Sequence, residues 1–276
     1  MPSSIANWKT RLRPYVPALA RRAKRVFFGW RWFRGRYPTW EKAQPHAASY
    51  DEPSILAKVL HATLEVKAGR AAYERDSVLF FQPVVEAELL ACLEQVAAAA
   101  GGRLRVLDFG GSLGTTYWQH RARLGHLAEL RWDVVEQAHF VEAGRKHLQD
   151  DTLRFFPTID AAERACAHDV LLASGVVHCL PAPHAMLTDF AARALPWLIL
   201  HNLPLHDDEP DYVMIEHVPP DIYPATYPVW FLNRARFLAH FAAGYTVEQS
   251  YASTAIWDRG WQDYPSSGLM LRRRAP

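Results

Sequence analysis

The apolar positions of this chain keep two different rhythms. Ile55, Leu56, Val59, Leu60 and Leu64 recur at helical spacing after a Pro53-Ser54 start signal. A second amphipathic run carries Leu89, Leu90, Leu93 and Val96 from Pro83 to a Gly101-Gly102 stop. Beyond residue 103 the pattern changes to short apolar runs at 104–108, 130–136, 153–156, 170–173 and 197–200. Segments of helical periodicity lie between them, at 115–128, 140–148 and 182–194. Strand and helix in alternation predict a parallel α/β sheet, helices on both faces, with ligands at the carboxyl ends of the strands. A helix at 233–243 and two strands in succession, 246–250 and 268–271, then predict an antiparallel hairpin closing the sheet.

Composition is that of a globular chain. Half of the 276 residues are apolar and 22% are charged, which excludes disorder, collagen and coiled coil as whole-chain readings. The net charge of +2 hides a division: residues 1–42 carry eleven basic residues and one acid, leaving 20 basic and 28 acidic residues for the rest. The expected zones are a basic aromatic segment at 1–50, a helical cap at 51–102, and a main domain at 103–276 with an insertion at 203–232. In the first zone Arg21, Arg22, Lys24 and Arg25 run into Phe27, Phe28, Trp30 and Trp32. Cations beside rings suit an anionic membrane surface, contacted through residues 1–34; the plainer reading is a tail whose aromatic strip packs on the main domain. No groove-reading motif accompanies the charges, so no nucleic-acid partner is expected. Arginines interrupt any signal-peptide core. Cys92, Cys166 and Cys179 share no metal-like spacing. The expectation is a cytoplasmic protein, peripheral to the membrane at most, with no structural metal.

The most informative stretch is residues 106–114, where Asp108 ends a strand and Gly110, Gly111, Ser112 and Gly114 form a turn before a helix. A dinucleotide fingerprint counted from Gly110 needs glycine at 112 and 115, where this chain has Ser112 and Thr115. A strand-end acid followed by G-x-G-x-G is the S-adenosylmethionine pattern, and Asp108, Gly110 and Gly114 match it, with Ser112 in place of the middle glycine. The glycines admit the cofactor without a Cβ in the way. The helix start offers N–H groups to a carboxylate, and Asp108 suits an ammonium. Glu136 ends the next strand, where an acid accepts both ribose hydroxyls. Thr158, after the third strand, is the position expected to flank the adenine, and Ser174 closes the fourth strand on the same rim.

On these residues the chain resembles a family of S-adenosylmethionine-dependent methyltransferases found in bacterial surface-polysaccharide and lipopolysaccharide gene clusters. Matching blocks lie at 35–43, 72–80, 107–114, 134–137, 218–225 and 227–230. The resemblance implies a class I methyltransferase fold, of which the terminal hairpin is typical. It also implies a cofactor lid at residues 73–76, with Arg75 among the cofactor contacts. Where the family shows an acid–Arg pair after the fifth strand, this chain has His201-Asn202.

Methyl transfer to a hydroxyl needs placement of the acceptor and a base of near-neutral pKa. His178, past the fourth strand, and His201, ending the fifth, are the candidate bases. His206, Tyr223, Tyr227 and Trp230, in the insertion, are candidate linings of a sugar-sized acceptor site. The expected function is O-methylation of a sugar or another small polar hydroxyl compound in surface-glycan assembly. The alternatives are a catalytically silent binding protein on the same fold and a nicotinamide-dependent oxidoreductase.

Overall fold

The computed structural model describes residues 32–47, 53–207, 210–218, 225–258 and 263–275. Most of the basic head, and Tyr223, lie outside the described residues. The chain enters on a short strand, β1 (Phe33–Tyr37), followed by α1 (Trp40–Ala43) and the longer α2 (Pro53–Lys67). A hairpin of β2 (Tyr73–Arg75) and β3 (Val78–Phe80) follows, then α3 (Ala87–Ala99). Asp76 and Ser77, the two residues of its turn, both take positive φ, as a two-residue hairpin of the right twist requires.

The central sheet begins at β4 (Arg103–Phe109). It continues through α4 (Thr115–Leu124), β5 (Glu129–Val135), α5 (Ala138–His147), β6 (Leu153–Phe156), α6 (Ile159–Ala165), β7 (Val170–Ser174), α7 (Pro183–Ala192) and β8 (Trp197–Leu203). After an excursion, α8 (Arg234–Ala239), β12 (Tyr245–Asp258) and β13 (Asp263–Arg273) complete it. The strand order is β12-β13-β8-β7-β4-β5-β6. β4 to β8 are parallel, and β13 runs antiparallel between β8 and β12. A parallel sheet closed by an antiparallel hairpin is what the sequence led us to expect.

Strand alternation divides the core in two. Leu104, Val106, Trp132, Val134, Leu172 and Ile199 pack with α2, α3, α4 and α5 on one face. Leu107, Val135, Leu171, Leu198 and Leu200 pack with α6, α7 and α8 on the other. Helices therefore cover both faces, and the polar loops at the carboxyl ends of β4, β5, β7 and β8 are left to form a site.

The excursion between β8 and α8 is a second sheet. β9 (Leu205–His206), β10 (Tyr212–His217) and β11 (Thr226–Asn233) join β1 in the order β1-β10-β11-β9. Sequence reading saw no strands here, because Pro228 lies inside β11 and a proline argues against a strand. It also placed β1 in a separate basic zone. In the structure Phe33 packs with Tyr212, Val229 and Phe231, and the apolar faces of these short strands need one another to be buried. The zone read as wholly helical contains the β2–β3 hairpin, whose three-residue strands are too short for a period-two signal. Among the described residues no helix is long and apolar enough to cross a membrane.

One ion group stands inside the sheet. Asp133 of β5 is fully buried and takes both guanidinium arms of Arg154, at 2.8 and 2.5 Å, and His168 at 2.9 Å. Cys166 completes three potential metal ligands, but Arg154 already supplies the cation. Burial alone raises the carboxyl pKa, yet the bonds from His168 and Arg154 prevail and hold it below the ordinary value. Removing one partner of such a buried set costs about 3–5 kcal/mol. We therefore expect Asp133→Ala to lose about that much in urea unfolding. A depressed carboxyl stabilises above its unfolded pKa, so the wild type should lose this contribution as pH falls below about 4, and the variant should lack that part of the acid dependence.

Candidate functional site

β4 and β5 end side by side, with Asp108 opposite Val134 and Phe109 opposite Val135. The turn after β4 is built for close approach. Gly110 has φ +72°, and a Cβ there would lie 2.4 Å from Val176; at Gly111 it would lie 2.4 Å from the Asp108 carboxylate. Ser112, in the middle glycine's place, takes φ +54°. It adopts the left-handed conformation that favours glycine, so the departure from the glycine pattern leaves the turn geometry in place. Gly114, at φ +86°, is the N-cap of α4. It brings no capping side chain to the helix's first N–H groups.

Asp108 is wholly buried under this turn. Its Oδ2 accepts a 2.7 Å hydrogen bond from the Trp132 indole N–H, while its Oδ1 has no hydrogen-bond partner among the described residues. Burial drives the carboxyl pKa up to about 7, against the pull of Trp132. A buried acceptor without a donor is costly and points to a cationic or donating group expected from outside the chain. Glu136, just past β5, turns to the same loop: its Oε2 accepts the Gln137 N–H at 2.6 Å, and the Ser112 backbone also holds it. Burial raises its pKa nonetheless. The strand-end acid, the glycine turn and the second acid thus stand together.

The other expected site residues are placed as follows. Thr158 caps α6, accepting the Ala161 N–H at 3.1 Å. Ser174 ends β7 opposite His201 of β8. His178 lies in a short turn at Val177–Cys179 and is buried, which pushes its pKa down to about 3, far from the near-neutral value asked of a base. His206 is buried on β9, its Nε2 3.3 Å from the Phe231 carbonyl and its ring against Tyr212. Tyr227 and Trp230 do not line one surface. Three positions apart on β11, they project from opposite faces: Tyr227 towards Phe33, Tyr212 and Cys179, and Trp230 towards Trp40, Val213 and Ile215.

Arg75 is part-buried. Its guanidinium meets Glu86, whose other oxygen meets His201 Nε2. His201 Nδ1 stands 3.1 Å from the Tyr251 hydroxyl, so one chain of contacts joins the hairpin to β8 and β12. Burial by itself raises the Glu86 pKa, but His201 and Arg75 outweigh it and bring the carboxyl down to about 2. On the same hairpin, buried Glu74 bonds the hydroxyl of Thr115, the first residue of α4, and takes the Ser77 N–H at 3.2 Å. Burial raises its pKa to about 7. Residues 73–76, the expected lid, are therefore fixed beside the glycine turn at one end and to His201 at the other. Sequence reading missed Glu74, Glu86 and Tyr251. Glu86 carried one signal: it is the N-cap of α3 without a side-chain cap bond, a position that normally prefers Ser, Thr, Asp or Asn.

No family model matches the chain, and no curated protein matches it. Several solved structures are similar to parts of it at low identity. The mitomycin 7-O-methyltransferase MmcR is 18% identical with a TM-score of 0.42 over 79% of this chain, which spans 60% of that one. The CcbJ methyltransferase of Streptomyces caelestis is 15% identical, with a TM-score of 0.45 over 68% of this chain and 89% of its own. CalS10, an amino pentose methyltransferase of Micromonospora echinaspora, is 15% identical, with a TM-score of 0.42 over 76% and 97%.

Two outcomes follow from the buried acids. A carboxyl whose folded pKa lies near 7 and whose unfolded pKa lies near 4 lowers stability progressively as pH rises from about 4 to about 7. Asp108→Asn should therefore stabilise the unliganded protein by about 1–3 kcal/mol at pH 8 and much less at pH 5, read from thermal unfolding at the two pH values. Glu86→Gln should release the hairpin, speeding amide exchange at residues 72–80 by about tenfold or more while leaving β4 and β5 protected.

Proposed function

We propose that the chain is an S-adenosylmethionine-dependent methyltransferase that O-methylates a sugar or another small polar hydroxyl compound. The observation that carries this reading is the meeting of Asp108, the glycine turn and Glu136 at the ends of two adjacent parallel strands. Each part fits one piece of the cofactor. Asp108 Oδ1, buried and without a donor, suits the ammonium; the uncapped start of α4 suits the carboxylate; Glu136 suits the ribose hydroxyls. When bound, the cofactor supplies a sulfonium methyl that a nucleophile displaces, with the carbon–sulfur electron pair leaving on neutral sulfur. The protein's own part is to hold the acceptor in line and to receive its proton. Thr158 and Ser174 border the nucleoside side of this site, and the hairpin with Arg75 covers it.

A nicotinamide reading is disfavoured by Ser112 and Thr115 at the positions where that fingerprint has glycine. The surface-glycan setting rests on family resemblance, and the basic head at 1–34 suits an acceptor carried on an anionic lipid surface.

Calorimetry with S-adenosylhomocysteine should give a one-to-one complex, weakened about 30-fold or more by Asp108→Ala and by Glu136→Ala. Unchanged affinity in both variants would refute the site. Release of S-adenosylhomocysteine from S-adenosylmethionine in the presence of monosaccharides separates an enzyme from a silent binding protein.

A further inference from the structure

Both histidines expected as bases are held inside the protein. His178 is driven away from protonation by burial, and His201 is engaged by Glu86 and Tyr251. Another group stands where a base is needed. Glu216 of β10 is opposite Tyr227 of β11. By strand alternation it shares the face of Tyr212 and Met214, the face that packs on Phe33, Phe231 and Cys179. Cys179 belongs to the turn after β7, so Glu216 looks from the second sheet toward the carboxyl end of the first.

Its neighbours relate it to the glycine turn through the segment after β7 and through the β2–β3 hairpin. Val176 lies against Gly110 of the glycine turn. Three residues on, Cys179 lies within electrostatic reach of Glu216 and Asp76. Asp76 is the tip of the hairpin, and Glu74 of that hairpin bonds Thr115 at the start of α4, next to Gly114. Asp108, with its unanswered oxygen, lies against Gly111 of the glycine turn. Among the described residues, the electrostatic and hydrogen-bonding neighbours of Glu216 include the Asp76 carboxylate, the Tyr227 hydroxyl and the Cys179 thiol.

We propose that Glu216, hydrogen-bonded by Tyr227, faces the transferable methyl from the acceptor side and takes the proton of the acceptor hydroxyl. This rests on the methyltransferase reading above. The hydroxyl oxygen gains the methyl carbon, its O–H pair stays on oxygen, and the proton passes to the Glu216 carboxylate; the products are an ether and a neutral thioether. Burial, and then the like charge of Asp76, push the Glu216 pKa up to about 8, against the pull of Tyr227, so at neutral pH a minor ionised fraction is a strong base.

The test needs no acceptor. S-adenosylmethionine carries a sulfonium charge that S-adenosylhomocysteine lacks, while both present the same ammonium to Asp108. A carboxyl facing the methyl ionises more readily beside that charge. The ratio of the two affinities, measured by calorimetry between pH 6 and 9, should therefore rise with pH by about three- to tenfold, corresponding to up to one unit of pKa coupling. Runs in two buffers of different ionisation enthalpy should show extra proton release with S-adenosylmethionine. Glu216→Gln should flatten the ratio while keeping S-adenosylhomocysteine affinity within about twofold, and Asp76→Asn should move the rise to lower pH. A pH-independent ratio in the wild type, or an unchanged slope in Glu216→Gln, would overturn the assignment of Glu216. Failure of the wild type to bind either ligand would instead overturn the cofactor reading on which it rests.

Discussion

The site depends on one hydrogen bond and on the one that is missing beside it. Trp132 fixes Asp108 from the neighbouring strand at 2.7 Å, while Gly111 lies so close above the carboxylate that no side chain fits between them. One oxygen is thereby committed and the other is left buried without a donor. An acid held this way is a liability to the empty fold. It makes physical sense only if a cationic or donating group arrives to answer it. The glycines, the left-handed Ser112 and the uncapped helix start are all arranged around that point.

Around this centre the chain spends further buried acids on organisation. Glu86 gathers Arg75 and His201; Glu74 ties the hairpin to α4; Asp133 gathers Arg154 and His168. Each is paired, as burial of charge requires. Their opposite pKa directions follow from what they meet. Glu86 faces a guanidinium and an imidazole and falls, whereas Glu74 meets a hydroxyl and an N–H and rises. Under the proposed reading the two sheets divide the work: the larger one presents Asp108 and Glu136, and the smaller one presents Glu216 and Tyr227.

The main sheet was legible because buried parallel strands read as unbroken apolar runs between helical periods, as at residues 104–108 and 170–173. The cofactor side was legible because it is local: Asp108, the glycines and Ser112 are neighbours in sequence, and Glu136 ends the next strand. The second sheet was not legible. Its strands are drawn from residues 33–37 and 205–233, and Pro228 speaks against a strand where one exists. Glu86 and Glu216 act through partners 115 and 11 positions away, His201 and Tyr227, and periodicity carries no trace of such pairings. Burial is likewise a property of the folded chain that periodicity does not show, and it pushes the His178 pKa down.

The central claim concerns Asp108, and it is tested most directly by carbon-13 NMR of its labelled carboxyl with and without saturating S-adenosylhomocysteine. The free protein should show a carboxyl titrating near pH 7. In the complex it should stay ionised down to about pH 5 or below, because an ammonium now answers the second oxygen. A carboxyl that titrates at the same pH in both states would contradict the account.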